Sequence, residues 1–189
     1  VPTVVAAAAA PAEAASPPPR IDRVFSVRLA STAVTGTSVR ACATGSTRVT
    51  VTTDNVNTYY RITNVQAGST VTDVTASILV QKSVVDAMGS QNPLTWTNTT
   101  PSWSAPTREV SGTGSPVLYT NNGTQYYRYV SKLSPPVPAP VSGTITLPSI
   151  GWYSNCGTNL NGVMVNGRGS AVVNGMTLDN VGTYVRLQG

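Results

Sequence analysis

Residues 57–83 read NTYYRITNVQAGSTVTDVTASILVQKS, and their pattern decides the fold class. Two runs rich in β-branched and aromatic residues, 57–65 and 71–82, flank a Gln66-Ala67-Gly68 turn. Val, Ile, Thr and Tyr suit a pleated, half-buried surface, and Gly supplies the backbone freedom a reversal needs. In the second run Val71 and Asp73 alternate with Thr72, Val74 and Ala76, ahead of a denser Ile78-Leu79-Val80. A period of two sends alternate side chains to opposite faces. The stretch is a pair of strands.

The same signal extends both ways. RVFSVRLAS (23–31) sets Phe25, Val27 and Leu29 against Ser26 and Arg28, and STRVTVTTD (46–54) sets Val49 and Val51 against Arg48 and Thr50. SPVLYTNNGTQYYRYVSKL (115–133) reads as a hairpin about Asn121-Asn122-Gly123, a favourable tight-turn sequence. GTITLPSIGWYSNC (143–156) is a further strand, and GTYVRLQ (182–188) is the last. Asn-Gly pairs beginning at Asn161, Asn166 and Asn174 each predict a turn, since both residues tolerate positive φ. Residues 83–110 are the least strand-like. Ser83 is expected to cap one short turn ended by Gly89, and Trp96 and Trp103 lie in a connection packed back onto the domain. The prolines of SPPVPAPVSG (134–143) restrict it to an extended, edge or solvent-facing segment. About nine or ten strands at sandwich spacing result.

Composition agrees. Only 10% of the 189 residues are charged, well under the roughly 25% of ordinary domains, and no apolar run approaches a membrane span. The 12 Lys and Arg exceed the 7 Asp and Glu but are scattered. A nucleic-acid footprint would be clustered, so nucleic acid is not an expected partner. Cys42 and Cys156 stand alone, without a CxxC motif or any histidine. A disulfide is the natural reading, with two separate buried thiols as the alternative, and it points to an extracellular or cell-surface setting. Val1 is read as lying at or near a processed end.

Reaction chemistry does not emerge. The absence of histidine excludes Ser-His-Asp and Cys-His arrangements. Lys82 and Lys132 sit in no Ser-Lys motif, and nothing pairs two of Glu13, Asp22, Asp54, Asp73, Asp86, Glu109 and Asp179 for acid–base work. No Gly-rich phosphate loop is present, and no metal or other cofactor is expected. The chain is expected not to be an enzyme. The doubled tyrosines, Tyr59-Tyr60 and Tyr126-Tyr127, offer rings for stacking on sugars; the simpler reading makes one ring of each pair core and the other half-exposed. Asn98 and Asn122 head Asn-x-Thr sequons and are candidate glycosylation sites.

NVGTYVRL (180–187) matches Asn180, Gly182 and Tyr184 to a tyrosine corner, although Arg186 stands where antibody domains place a cysteine. In this pattern the chain resembles the immunoglobulin-like β-sandwich modules of secreted bacterial surface or fibre proteins. The expectation is an all-β protein, a single Ig-like or jelly-roll-like β-sandwich over 21–189, preceded by an extended Ala/Pro-rich arm over 1–20.

That arm, VPTVVAAAAAPAEAASPPPR, is too broken by proline to form an isolated helix. SPPPR is a stiff polyproline spacer, and the segment before it is small, uncharged and β-branched. Val1, Thr3, Val4, Val5 and Ala6 are therefore the expected assembly residues, added as a strand to a neighbouring subunit's sheet. The functional expectation is an extracellular filament subunit, pilus- or fibre-like, whose partners are head-to-tail copies of itself and attached glycans. Two alternatives stand beside it: a jelly-roll viral or phage capsid protein, and a secreted carbohydrate- or surface-binding module.

Overall fold

The computed structural model describes residues 15–135, 137 and 143–189. In chain order the strands are β1 (Arg20–Val24), β2 (Ser26–Ala30), β3 (Arg48–Thr52), β4 (Tyr59–Val65) and β5 (Val71–Gln81). A short helix α1 (Lys82–Ala87) leads to β6 (Trp96–Asn98), β7 (Thr107–Arg108), β8 (Leu118–Asn121) and β9 (Thr124–Lys132). β10 (Gly143–Thr146), β11 (Gly151–Ser154), β12 (Met164–Val173), β13 (Met176–Asn180) and β14 (Val185–Arg186) complete the fold. The protein is all-β, with several antiparallel sheets that stay open and do not close into a barrel.

Two small sheets, ordered β1-β4-β10 and β2-β3-β11-β6, are halves of one bent layer. β1 runs on into β2 across Phe25, while β3 and β4, and β10 and β11, continue each other across short breaks. The expected strand at 23–31 is thus broken, and the break turns Phe25 inward, where its ring meets Tyr60 of β4, in the same layer, edge-on at 5.9 Å. The opposite layer is β13-β12-β5-β9-β7, with β14 continuing along β12 and β8 along β9.

One hydrophobic cluster fills the space between the layers. Val49, Val51, Tyr60, Ile62, Leu147 and Trp152 come from the bent layer, and Ala76, Ile78, Val80 and Val165 from the other. Burying each large side chain stabilises the fold by roughly 1.5–3 kcal/mol. Trp103 stacks on Tyr60 at 5.9 Å and its indole N–H donates to the Pro148 carbonyl at 3.1 Å. Trp96 packs on Tyr129. The expectation that both indoles tie the long connection to the domain is met.

Several local expectations need correction. Asn166-Gly167 is not a turn but lies in the middle of β12. A Cβ at Gly167 would meet the Phe25 ring at 2.9 Å, and one at Gly169 would meet Tyr60 at 2.8 Å. These glycines are there for close packing, not reversal. The other two Asn-Gly pairs are turns, with Gly162 and Gly175 at positive φ. The strict alternation in β5 fails at Asp73 (φ 49), where a bulge shifts the register against β12 and brings both Val71 and Val74 onto the core. Gln81, not Ser83, occupies the N-cap of α1, and it makes no side-chain cap bond. Tyr184 is not a tyrosine corner: it follows β13, and its hydroxyl accepts from the Arg168 side chain at 3.0 Å instead of bonding upstream backbone.

Candidate functional site

The sheet edges differ in how they are covered. β1 and β2 form one edge of the bent layer. Along β1 that edge is blocked, because the Asn180 carboxamide donates to the Ile21 carbonyl at 3.1 Å. Along β2, one side pairs with β3 and no described strand pairs with the other. Alternate N–H and C=O groups of an edge strand face outward, which is the template for strand addition.

On the outward face of β2, β3 and β11, and reaching this edge at β2, lies a groove of about 500 Å³. Register places Arg28, Thr50 and Tyr153 on one outward face, with Ala30 along the same strand and Val34 overhanging from the next loop. Val49 and Val51 fill the opposite, core face. Apart from Arg28 and Tyr153, the lining is short: Ala, Ser, Thr, Val and one Leu. The Thr50 hydroxyl donates to the Arg28 carbonyl at 3.2 Å and so does not obstruct the groove.

The chain enters this edge at the other end. Arg20, the first residue of β1, pairs with Thr63, and the Asn64 carboxamide donates to the Pro18 carbonyl at 3.2 Å. β1 therefore begins one residue inside the expected arm. From Arg20 to Ala30 the edge runs about 30 Å, at roughly 3.3 Å per residue. The point of chain entry and the groove thus lie at opposite ends of one edge. The expected assembly residues Val1, Thr3, Val4, Val5 and Ala6 lie outside the described residues.

A second surface is the outward face of the large sheet. Tyr126 and Tyr184 pack with centroids 4.7 Å apart, and Arg168 lies between the Tyr184 and Tyr119 rings at 5.8 and 5.6 Å. Arg128 donates to Ser77 Oγ at 3.0 Å and pairs with Glu109 at 3.5 Å, while the Tyr119 hydroxyl donates to Glu109 at 2.8 Å. Burial, with the bond to Glu109 second, pushes the Tyr119 phenol up. Next to this network Lys132, Arg108 and Asp73 line a shallow groove of about 510 Å³. Arg128 and Glu109 pair on this face, and Thr75, Ser170 and Thr177 line the groove beside them, which gives the face mixed polarity without an open aromatic platform.

The remaining sequence candidates fall as follows. Cys42, in the loop between β2 and β3, and Cys156, just after β11, form a disulfide. Tyr60 is core, while Tyr59 is half-buried under the Arg61 guanidinium, 3.8 Å from its ring centre. Tyr126 and Tyr127 are both buried, against the expectation that one would be half-exposed. Two layers of contacts cover β9: Tyr127 donates to Asp86 of α1, and Tyr126 meets Tyr184. Asn122 stands exposed at the hairpin tip with φ 48. The Asn98 carboxamide donates to the Thr100 and Trp103 carbonyls and accepts from Thr100. Asp54 accepts from the backbone N–H groups of Val56, Asn57 and Thr58, which hold its carboxyl at about 2. Asp86 pairs with Lys82 at 2.6 Å. Glu13 lies outside the described residues, and no group of three metal-ligating side chains occurs among those described.

The groove beside β2 was not legible in the sequence, because it depends on which strand ends a sheet. A short-side-chain face, Thr50 and Thr52 beside Ala30, was the available signal. No protein-family model matches the chain, and no curated protein sequence matches it either.

Proposed function

We propose that the protein is the subunit of an extracellular filament, assembled by inserting the N-terminal arm of one copy along β2 of the next. One observation carries this reading: the chain enters at one end of an edge whose other end, β2, has no described strand on its outer side and adjoins an open groove on the sheet face. A contact that joins opposite ends of identical copies is heterologous and propagates without closing. The arm's Val, Thr and Ala side chains suit a groove lined by Thr, Ser and Ala, and neither brings a charge that would have to be desolvated, apart from Arg28 at the rim. The disulfide is consistent with an oxidising compartment.

Layer order favours the immunoglobulin-like form of the sandwich. The bent layer runs β1/β2, β3/β4, β10/β11 and β6, the A-B-E-D order when β1/β2, β3/β4 and β10/β11 are lettered A, B and E and β6 is lettered D. The other runs β13-β12-β5-β9, or G-F-C-C′. The departure is that β6, in the D position, precedes β9 along the chain. The disulfide also differs, since it ties the loop between β2 and β3 to the segment just after β11, within one layer and not between the two. In a jelly roll the first strand would neighbour the last in one sheet, so this order lends no support to the capsid alternative.

Size-exclusion chromatography and negative-stain microscopy of the full chain beside a variant lacking residues 1–14 test the proposal. Filaments from the full chain and a folded monomer from the variant are expected. Monomers from both would return the reading to a binding module, and closed shells to a capsid.

A further inference from the structure

We propose that Cys42–Cys156 is a thiol-exchange site, with Arg48 as the cation that receives the departing thiolate. Arg48, on β3, is only 6% exposed. One guanidinium nitrogen lies 3.4 Å from Cys42 Sγ and 3.3 Å from Cys156 Sγ, and the same nitrogen donates to the Arg40 carbonyl. Its Nε is buried without a partner, and no carboxylate pairs with it among the described residues. Burial pulls the guanidinium pKa down. A buried cation needs an anion close by, yet the two groups it faces are neutral, weakly accepting disulfide sulfurs. They become the missing anion only on reduction. The site is electrostatically complete in its reduced form.

The reaction this supports is exchange with a small external thiol. A thiolate RS⁻ attacks one Sγ, the S–S bond breaks, and its electron pair leaves on the other Sγ as a thiolate beside Arg48. A second RSH resolves the mixed disulfide, so that one bridge and two RSH yield two protein thiols and RSSR. A leaving thiol with a lowered pKa departs faster, and a neighbouring Arg lowers it. Both cysteines are half-exposed and lie outside the named strands, which leaves a path for attack. The reduced ends stay together through two backbone bonds, Thr47 N–H to the Gly157 carbonyl at 3.0 Å and Gly157 N–H to the Thr47 carbonyl at 2.8 Å. These anchor the Cys156 side, and the Cys42 N–H to the Ser31 carbonyl at 2.7 Å holds the other thiol near for re-oxidation, while the loop over 31–47 loses its covalent tether.

The test uses the full chain and its Arg48→Met and Arg48→Lys variants. Reduction by glutathione at pH 7 is followed by mass shift, and the pH profile of iodoacetamide alkylation is measured on each reduced protein. The expected wild-type result is reduction without denaturant and one cysteine titrating at least one unit below the ordinary value of about 8.5. Arg48→Met should return that midpoint to the ordinary range and slow reduction about tenfold or more, and Arg48→Lys should keep most of the wild-type behaviour. A wild-type midpoint within one unit of 8.5, a need for denaturant, or an unchanged Arg48→Met profile would overturn the proposal. If Arg48→Met does not fold, the wild-type midpoint decides alone.

Discussion

Gly169→Ala puts the packing between the two layers to a direct test. An ideal Cβ at this position lies 2.8 Å from Tyr60 Cζ, 2.9 Å from its hydroxyl and 3.1 Å from Cε2. Carbon atoms in van der Waals contact sit at about 3.5–4.0 Å, so the ring must retreat by most of an ångström. It has nowhere to go. Tyr60 is fully buried, Trp103 stacks on one side and Phe25 abuts another, and the hydroxyl lies 2.8 Å and 2.9 Å from the Thr75 and Ser170 carbonyls. Overpacking costs about 1–3 kcal/mol, and stretching the hydroxyl's bond adds roughly 1 kcal/mol. A loss of about 2–4 kcal/mol should lower Tm by roughly 10 °C in a domain of this size. Urea unfolding followed by tryptophan fluorescence reads it out. Gly112→Ala, with nothing within 4 Å, is the control and should stay within about 0.5 kcal/mol. In a Tyr60→Leu background the Gly169→Ala penalty should largely vanish, because the two residues share one space. Wild-type stability in Gly169→Ala, or additive penalties in the pair, would mean that Gly169 and Tyr60 do not compete for one space.

Three further outcomes are expected. Replacing both Cys42 and Cys156 by Ser should cost up to about 4–5 kcal/mol in denaturant unfolding, the loop-closure value for a separation of 114 residues; an unchanged midpoint would mean that the bridge does not constrain the unfolded chain. The Asp54 carboxyl is held at about 2, below its usual 3.8, so its turn contributes fully above pH ~4 and fades as pH falls towards 2; Asp54→Asn should flatten the acid slope of stability in that window by lowering stability at neutral pH, and an unchanged neutral stability would mean that the carboxylate does not hold the turn. In a secretory host that attaches N-glycans, glycopeptide mass spectrometry should find sugar on Asn122, which is exposed at a hairpin tip, and none on Asn98, whose amide is spent on the Thr100 and Trp103 carbonyls.

The sequence carried the strands because their signal is local. β-branched alternation placed β3, β4, β5 and β9 within a few residues of their ends, and Asn122-Gly123 placed the hairpin turn. Where it misled, a distant partner had overridden the local preference. Asn166-Gly167 has turn chemistry, but the Phe25 ring needs a residue without a side chain opposite it, and β12 runs straight through. Asp73 reads as one more alternating residue, and only the register against β12 shows the bulge. The Asn180-x-Gly182-x-Tyr184 spacing resembled a tyrosine corner because spacing alone does not say which side chain the hydroxyl will meet. The cysteine pairing was legible by elimination, whereas Arg48 was not: nothing in its neighbourhood along the chain marks it as the cation that faces both sulfurs. The groove beside β2 lay furthest from view, since sheet order is a property of the whole chain.

If the arm of one copy lies along β2 of another, a cross-link between copies will record it. A photo-reactive residue at Val4, in an equal mixture of isotope-labelled and unlabelled full chains, would be activated after assembly and its products mapped by mass spectrometry. Links from position 4 to the segment around Arg28–Thr32, Thr50 and Tyr153 are expected, with labelled and unlabelled chains joined to each other. Links confined to chains of one label, or links that avoid this groove, would contradict that placement of the arm.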